Sequence, residues 1–260
     1  MRMRRSVKAA LPASVKLKVW QAVVRLNPTS GVFECADGRL FEHTSDGVFA
    51  RVLLEGDYEP ELSQIARSVL RPGDIAVDAG ANFGWYTTLF ARAVGTNGKV
   101  FSVEPVSETF ERLKRNVELN EMSEVVAIHN CAVGADSGSV KMSNTEESAF
   151  AFATHSSSSA DVVPLERLDD IVREHYSSVA LVKIDVEGFE EEVLRGATML
   201  VGAEHPPVLQ IEINDEALQR AGSSRNSIMQ LLAQLGYSAF HVSRHLELEP
   251  AVDDATDIFA

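Results

Sequence analysis

The sequence predicts an α/β fold: a mostly parallel sheet with helices on both faces, preceded by a helix-and-hairpin extension. Three observations predict it. Five short runs rich in Val, Ile and Leu alternate with amphipathic segments at the spacing of strand–helix units. Each run leads into a polar residue: Asp78, Glu104, Asn130, Asp185 and Glu212. The first run is followed by the glycine turn Ala79-Gly80-Ala81-Asn82-Phe83-Gly84, and then by a helical pattern. Ligands of open α/β sheets bind along the C-terminal ends of the strands, so these five residues mark one candidate site.

Composition bounds the fold. The chain has 260 residues, of which 45% are apolar. That suits one α/β domain of about 200 residues, here 59–260, behind an extension over 1–58. The net charge of −14 argues against nucleic acid as a partner. Two cysteines without paired spacing, Cys35 and Cys131, predict a reducing, cytoplasmic setting with neither disulfides nor a Cys-based zinc site. No apolar run reaches the ~18 residues of a transmembrane helix.

Charge is unevenly placed. Arg2, Arg4, Arg5, Lys8, Lys16, Lys18 and Arg25 precede Glu34 with no acid among them. Lys16 and Lys18 break the apolar stretch that a signal peptide needs. Val15, Val19, Trp20, Val23 and Val24 fall on one face of a basic amphipathic helix. Such a helix either caps the main domain or docks on a membrane surface or a partner. Set against an acidic body, it is also a candidate contact in a homo-oligomer.

The elements follow in order. Gly31 to His43 reads as a hairpin turning at Asp37-Gly38. Glu59 to Leu70 reads as a helix stopped by Pro72-Gly73. The opening strand is Ile75 to Asp78, and its helix runs from Asn82 to Val94, ended by Gly95 and Gly98. Lys99 to Pro105 is a strand, Ser107 to Asn120 a helix and Val125 to His129 a strand. A short polar hairpin is expected around Asp136 to Gly138. The serine-rich segment 143–159 reads as a mobile surface loop. Leu165 to His175 is a helix, and Val179 to Ile184 a strand ending at Asp185-Val186-Glu187-Gly188. A helix to Gly196 and the strand Pro207 to Ile213 follow. Helices are expected at 216–221 and 227–235, and one or two strands after Tyr237.

The glycine turn narrows the ligand. Gly80 and Gly84 stand four apart, which is not the G-x-G-x-x-G of nicotinamide enzymes. Glu104 closes the second strand 26 residues after Asp78, near the ~20 expected of an acid that accepts hydrogen bonds from a ribose diol. It also suits a helix-start acid stabilised by the dipole.

These pieces resemble the FkbM family of S-adenosylmethionine (SAM) dependent O-methyltransferases. The likeness rests on residues 77–87, Val103-Glu104-Pro105, 116–120, 130–134, 167–171, Val182-Lys183-Ile184-Asp185-Val186-Glu187-Gly188-Phe189-Glu190, and 207–214. It implies a Rossmann-like class I methyltransferase: a mostly parallel seven-stranded sheet with its last strand antiparallel. Carried onto this chain, it places the methionine part of SAM at Asp78, Gly80, Asn82 and Gly84. It places the ribose at Glu104, and the adenine near Asn130, Cys131 and Ala132. Tyr86 and Thr87 either touch the cofactor or pack their helix on the sheet. The resemblance does not by itself give the acceptor; the leading expectation is a hydroxyl of a sugar or a secondary metabolite.

Methyl transfer requires alignment of donor and acceptor, and often removal of a proton. Asp185 either lies in the reaction zone or binds the ammonium of the cofactor. Glu187 and Glu212 are candidates for shaping the acceptor site or acting as base, although Glu187 also suits a first-turn helix acid. Asp185, Glu212 and Asn214 are oxygen ligands suited to a divalent metal, which is not the favoured reading. Among the histidines no ligand pair stands out, and only His155 is placed to meet substrate. Asn-Pro-Pro-Tyr is absent, against amide or exocyclic-amine acceptors. A Tyr-x-x-x-Lys pair is absent, against a nicotinamide oxidoreductase. A non-catalytic SAM-binding scaffold is the alternative from another class.

Overall fold

The structure, a computed structural model, describes residues 31–35, 37–42, 58–143, 152–154, 161–242, 247–251 and 255–260. The expected N-terminal amphipathic helix, and residues 144–151 and 155–159 of the serine-rich segment, His155 among them, lie outside the described residues. The chain divides into two compact units, 1–60 and 61–260. In the first, β1 (Val32–Glu34) and β2 (Leu40–Glu42) form the expected antiparallel hairpin. Gly38 takes φ 87° in its turn, and the Arg39 guanidinium bonds Asp37 at 2.9 Å.

The chain then runs α1 (Pro60–Val69), β3 (Ile75–Ala79), α2 (Trp85–Val94), β4 (Lys99–Val103), α3 (Ser107–Leu119) and β5 (Val126–His129). Next come β6 (Ala132–Val133), β7 (Gly138–Ser143), β8 (Phe152–Thr154), β9 (Asp161–Glu166), α4 (Leu168–Val172) and a 3₁₀ turn, Arg173–Ser178. The last part is β10 (Val179–Ile184), α5 (Glu190–Arg195), α6 (Thr198–Val201), β11 (Val208–Glu212), α7 (Asp215–Ala221), α8 (Arg225–Gln234), β12 (Phe240–Val242), β13 (Leu248–Pro250) and β14 (Asp257–Phe259).

The main sheet has the order β13-β12-β14-β11-β10-β3-β4-β5. The five strands from β11 to β5 are parallel, as expected, and β14 is antiparallel between β11 and β12. The sheet has eight described strands rather than seven, because β13 folds back on β12 as an additional edge.

Side chains alternate across the sheet, and its two faces differ. On one face Val77, Ala79, Phe101, Val103, Val182, Ile184, Leu209 and Ile211 join residues of α4, α5, α6 and α8 in one core cluster. On the other face, paired positions on four adjacent strands carry Ser102, Asp78, Lys183 and Gln210. All four are buried. Two residues further along the same strands stand Glu104, Gly80, Asp185 and Glu212. A buried polar row thus underlies the row of edge residues that the sequence singles out.

Three expectations are corrected. The helix after the glycine turn begins at Trp85, not Asn82, because Asn82 (φ 48°) and Gly84 (φ 91°) hold left-handed conformations. The hairpin around Asp136 does not close on itself: β9 lies between β6 and β7 in a second, four-stranded sheet, β6-β9-β7-β8. The helix expected from Leu165 starts at Leu168, since Leu165 and Glu166 still pair with β6. It breaks into the 3₁₀ turn at Arg173, where φ is 44°.

Candidate active site

The ends of β3, β4 and β5 build one corner. Gly80 (φ 83°) turns the chain so tightly that a Cβ would lie 1.7 Å from the carbonyl oxygen of Asp185. At Gly84 a Cβ would lie 2.7 Å from Leu113 Cδ1. Both glycines therefore let neighbouring segments close on the turn. Beside it, Glu104 accepts from the backbone N–H groups of Asn82 and Val106, each at 2.9 Å. Burial pushes its carboxyl up to about 7, against those two donors. The Asn130 side chain donates to the carbonyl of Glu104 at 2.8 Å, fixing the start of the next loop. Cys131 and Ala132 are buried, and burial pushes the Cys131 thiol up to about 12, so it is no nucleophile at neutral pH.

Beneath the turn, the Thr87 hydroxyl donates to Asp78 Oδ2 at 2.6 Å and lies 2.9 Å from Ser102 Oγ. Asp78 Oδ1 is buried without a hydrogen-bond partner. Burial raises the Asp78 carboxyl above its ordinary value, and Lys183 and Thr87 pull it back. Thr87 is fully buried and holds Asp78, while the Tyr86 ring lies 4.9 Å below the Lys183 ammonium.

The ends of β10 and β11 build the second corner. Carboxylate oxygens of Asp185, Glu187 and Glu212 all lie within 4.8 Å of one another. Lys183 Nζ donates to Asp185 Oδ2 at 2.6 Å. Burial raises the Asp185 carboxyl, but Lys183 and a hydrogen bond with Glu212 outweigh it and hold Asp185 below its ordinary value. Burial, then the hydrogen bond and charge of Asp185, push Glu212 up to about 10. Glu212 therefore carries the proton of this pair at neutral pH. Glu187 sits at φ 54°, and burial with the charges of Asp185 and Glu190 brings it to about 7. That value suits a group that takes and releases a proton near neutrality.

The sequence reading missed two supports. Glu190 turns back to accept from the N–H groups of Val186 (3.2 Å) and Gly188 (3.1 Å), shaping the loop that presents Glu187. Lys183 reads as one charge in an apolar strand, and that mismatch was the available signal. The Asn214 side chain caps α7 by accepting from Ala217 N–H at 3.2 Å. Among the described acidic groups in mutual reach, Glu187 joins the expected Asp185 and Glu212.

Comparison with known proteins adds the family. The chain is 31% identical over 143 residues to Methyltransferase 1 of Beauveria bassiana, covering 46% of this chain and 57% of that one. It thus spans under three fifths of that relative. It is 26% identical over 181 residues to 31-O-demethyl-FK506 methyltransferase FkbM of Streptomyces tacrolimicus, covering 56% and 67% respectively. Among solved structures, P. horikoshii TYW2 in complex with MeSAdo aligns with a TM-score of 0.50 at 12% identity, covering 99% of this chain and 84% of that one. At that identity the likeness shows the fold alone. The family model described as the methyltransferase FkbM domain matches residues 78–239. The chain therefore belongs to the FkbM family of methyltransferases, whose methyl donor is S-adenosylmethionine.

Proposed function

We propose that residues 59–260 form an O-methyltransferase that transfers a methyl group to a hydroxyl of a small molecule, a sugar or a secondary metabolite. The observation that carries this reading is the cluster of Asp185, Glu187 and Glu212 at the strand edge, with Glu187 near neutrality. A hydroxyl must lose its proton as it is methylated, and Glu187 is poised to accept it. The name of the Streptomyces tacrolimicus relative, a methyltransferase acting on a 31-O-demethyl compound, supports the same acceptor chemistry. The charge of −14 speaks against a nucleic-acid acceptor.

The residues present fit the cofactor. Each Glu104 oxygen accepts one backbone N–H and keeps a lone pair for a ribose hydroxyl. Asp78 Oδ1 has no protein donor, and suits a ligand that brings one directly or through water. SAM supplies a methyl group already activated by a sulfonium. The protein's work is alignment and the proton. Glu104 fixes the nucleoside end, Asp185 is held ionised by Lys183, and Glu212 keeps its own proton while Glu187 takes the one from the acceptor.

Calorimetric titration with SAM and S-adenosylhomocysteine (SAH), paired with methyl transfer to a panel of glycosides and polyketides, tests this. Wild type is expected to bind both nucleotides, and Glu104→Ala to weaken SAH by about 10-fold or more, the worth of one or two charge-assisted hydrogen bonds. Absence of SAH binding would sink the reading, and binding without transfer would favour a scaffold. Because Lys183 already neutralises Asp185, EDTA is expected to leave activity intact. A loss restored by Mg²⁺ would make Glu187 a ligand instead of a base.

A further inference from the structure

Lys183 stands out by location. It is the one charged residue of β10, and its side chain is only 6% exposed. Burying a lysine is costly unless its charge is matched, so its place needs a reason. Its ammonium reaches Asp185, two residues on and on the same side of the strand, at 2.6 Å. The Asp185 side chain is 31% exposed, so the pair has one end in the core and the other at the ligand edge. Laterally, Lys183 is flanked by Asp78 on β3 and Gln210 on β11. Asp78 Oδ1 and Gln210 Oε1 are both buried without partners, so neither of these oxygens accepts from the ammonium. It reaches along the strand to Asp185 at the edge, while its charge also acts on Asp78 and the Tyr86 ring lies 4.9 Å away.

We infer that Lys183 is a positioning residue, which fixes the orientation of the Asp185 carboxylate at the cofactor edge and acts on the ligand only through Asp185. The arrangement parallels that of Thr87 and Asp78 on the neighbouring strand: in each, a buried donor below fixes a carboxylate. An ammonium adds charge to the tether, and charge-assisted bonds are about twice as strong as neutral ones.

The inference rests on the SAM reading for its binding test and on the structure alone for its stability test. SAH titration and thermal melting are run on wild type, Lys183→Met, Asp185→Asn, the double variant and Lys183→Arg. A residue acting only through another gives non-additive effects. Lys183→Met is expected to weaken SAH by about 10-fold, or 1.4 kcal/mol. The double variant is expected to bind no more weakly than Asp185→Asn alone, and Lys183→Arg to stay within about three-fold of wild type. In melting, Asp185→Asn is expected to raise the midpoint of Lys183→Met, because it removes a carboxylate left without its partner. Multiplying losses in the double variant, wild-type affinity in Lys183→Met, or Lys183→Arg binding as weakly as Lys183→Met would each overturn the inference. If wild type does not bind SAH, the SAM reading fails separately and the melting cycle decides: a double variant melting below Lys183→Met overturns the pairing. If Lys183→Met does not fold, the Arg variant and the recovery of folding in the double variant decide in the same sense.

Discussion

The two corners of the site use the same residue types in opposite ways. At Asp78 and Glu104 the carboxylates meet donors of the protein itself: a threonine hydroxyl and two backbone N–H groups. At Asp185, Glu187 and Glu212 the carboxylates meet one another, with Lys183 bonded to Asp185 and the charge of Arg220 acting on Glu187. An acid met by fixed donors keeps one geometry and suits binding. Acids that crowd together have their proton affinities pushed apart, which suits proton transfer. The spread is wide: Asp185 lies below its ordinary value, Glu187 rises to about 7 and Glu212 to about 10.

The largest expected effect breaks this contrast directly. Glu187→Gln keeps the shape and removes the base, so methyl transfer should fall by about 10²–10⁴-fold. SAH affinity should stay within a few-fold. A variant that loses SAH binding and transfer together would place Glu187 with the binding corner.

A smaller effect tests how the corners are joined. Gly80→Ala would put a methyl group against the Asp185 carbonyl at a left-handed φ of 83°. A cost of about 3 kcal/mol, lowering the melting midpoint by roughly 6–12 °C, is expected from the strain and the clash. Gly222→Ala, also left-handed but with open space around it, should cost only about 1 kcal/mol. Equal shifts would mean that the close approach of the two corners carries no strain.

The smallest effect is on pH dependence. Glu104, Glu187 and Glu190 rise from 4.5 to about 7, about 7 and about 6. Between these values the folded chain binds more protons than the unfolded one, so its stability declines as pH rises from about 5 to about 7. Melting of the cofactor-free protein across that range should show the decline, and Glu104→Gln should flatten it. A midpoint that climbs over the same range would show that His129, whose imidazole is held below its ordinary value of 6.5 by burial and so gains stability as pH rises, dominates.

Much of this was legible in the sequence. The parallel strands are apolar runs, and their ends carry the polar residues that the sheet brings to one edge. Local pattern could not show β9, because Pro164 argues against a strand. The structure resolves this: β6 pairs only with Leu165 and Glu166, so Pro164 faces no described partner on that side. Nor could it show the buried row of Ser102, Asp78, Lys183 and Gln210. That row depends on the register between strands far apart in the chain, which one residue of slip would destroy. That the Asn214 oxygen caps α7 was not legible either, because N-cap and ligand chemistry use the same oxygen.

Gly134 and Glu166 meet where the second sheet leaves and rejoins the main body, through a hydrogen bond of 3.0 Å. Next to this junction, Gly196 and Gly134 press together so closely that a Cβ on Gly196 would reach the Gly134 carbonyl at 1.9 Å. The excursion between 134 and 166 is therefore clasped at its base. The entropy of closing such a loop grows only slowly with its length. Its interior can lengthen, shorten or be exchanged while the clasp and the strand edge stay as they are. Evolution could alter what hangs from the clasp without retooling the chemistry beside it.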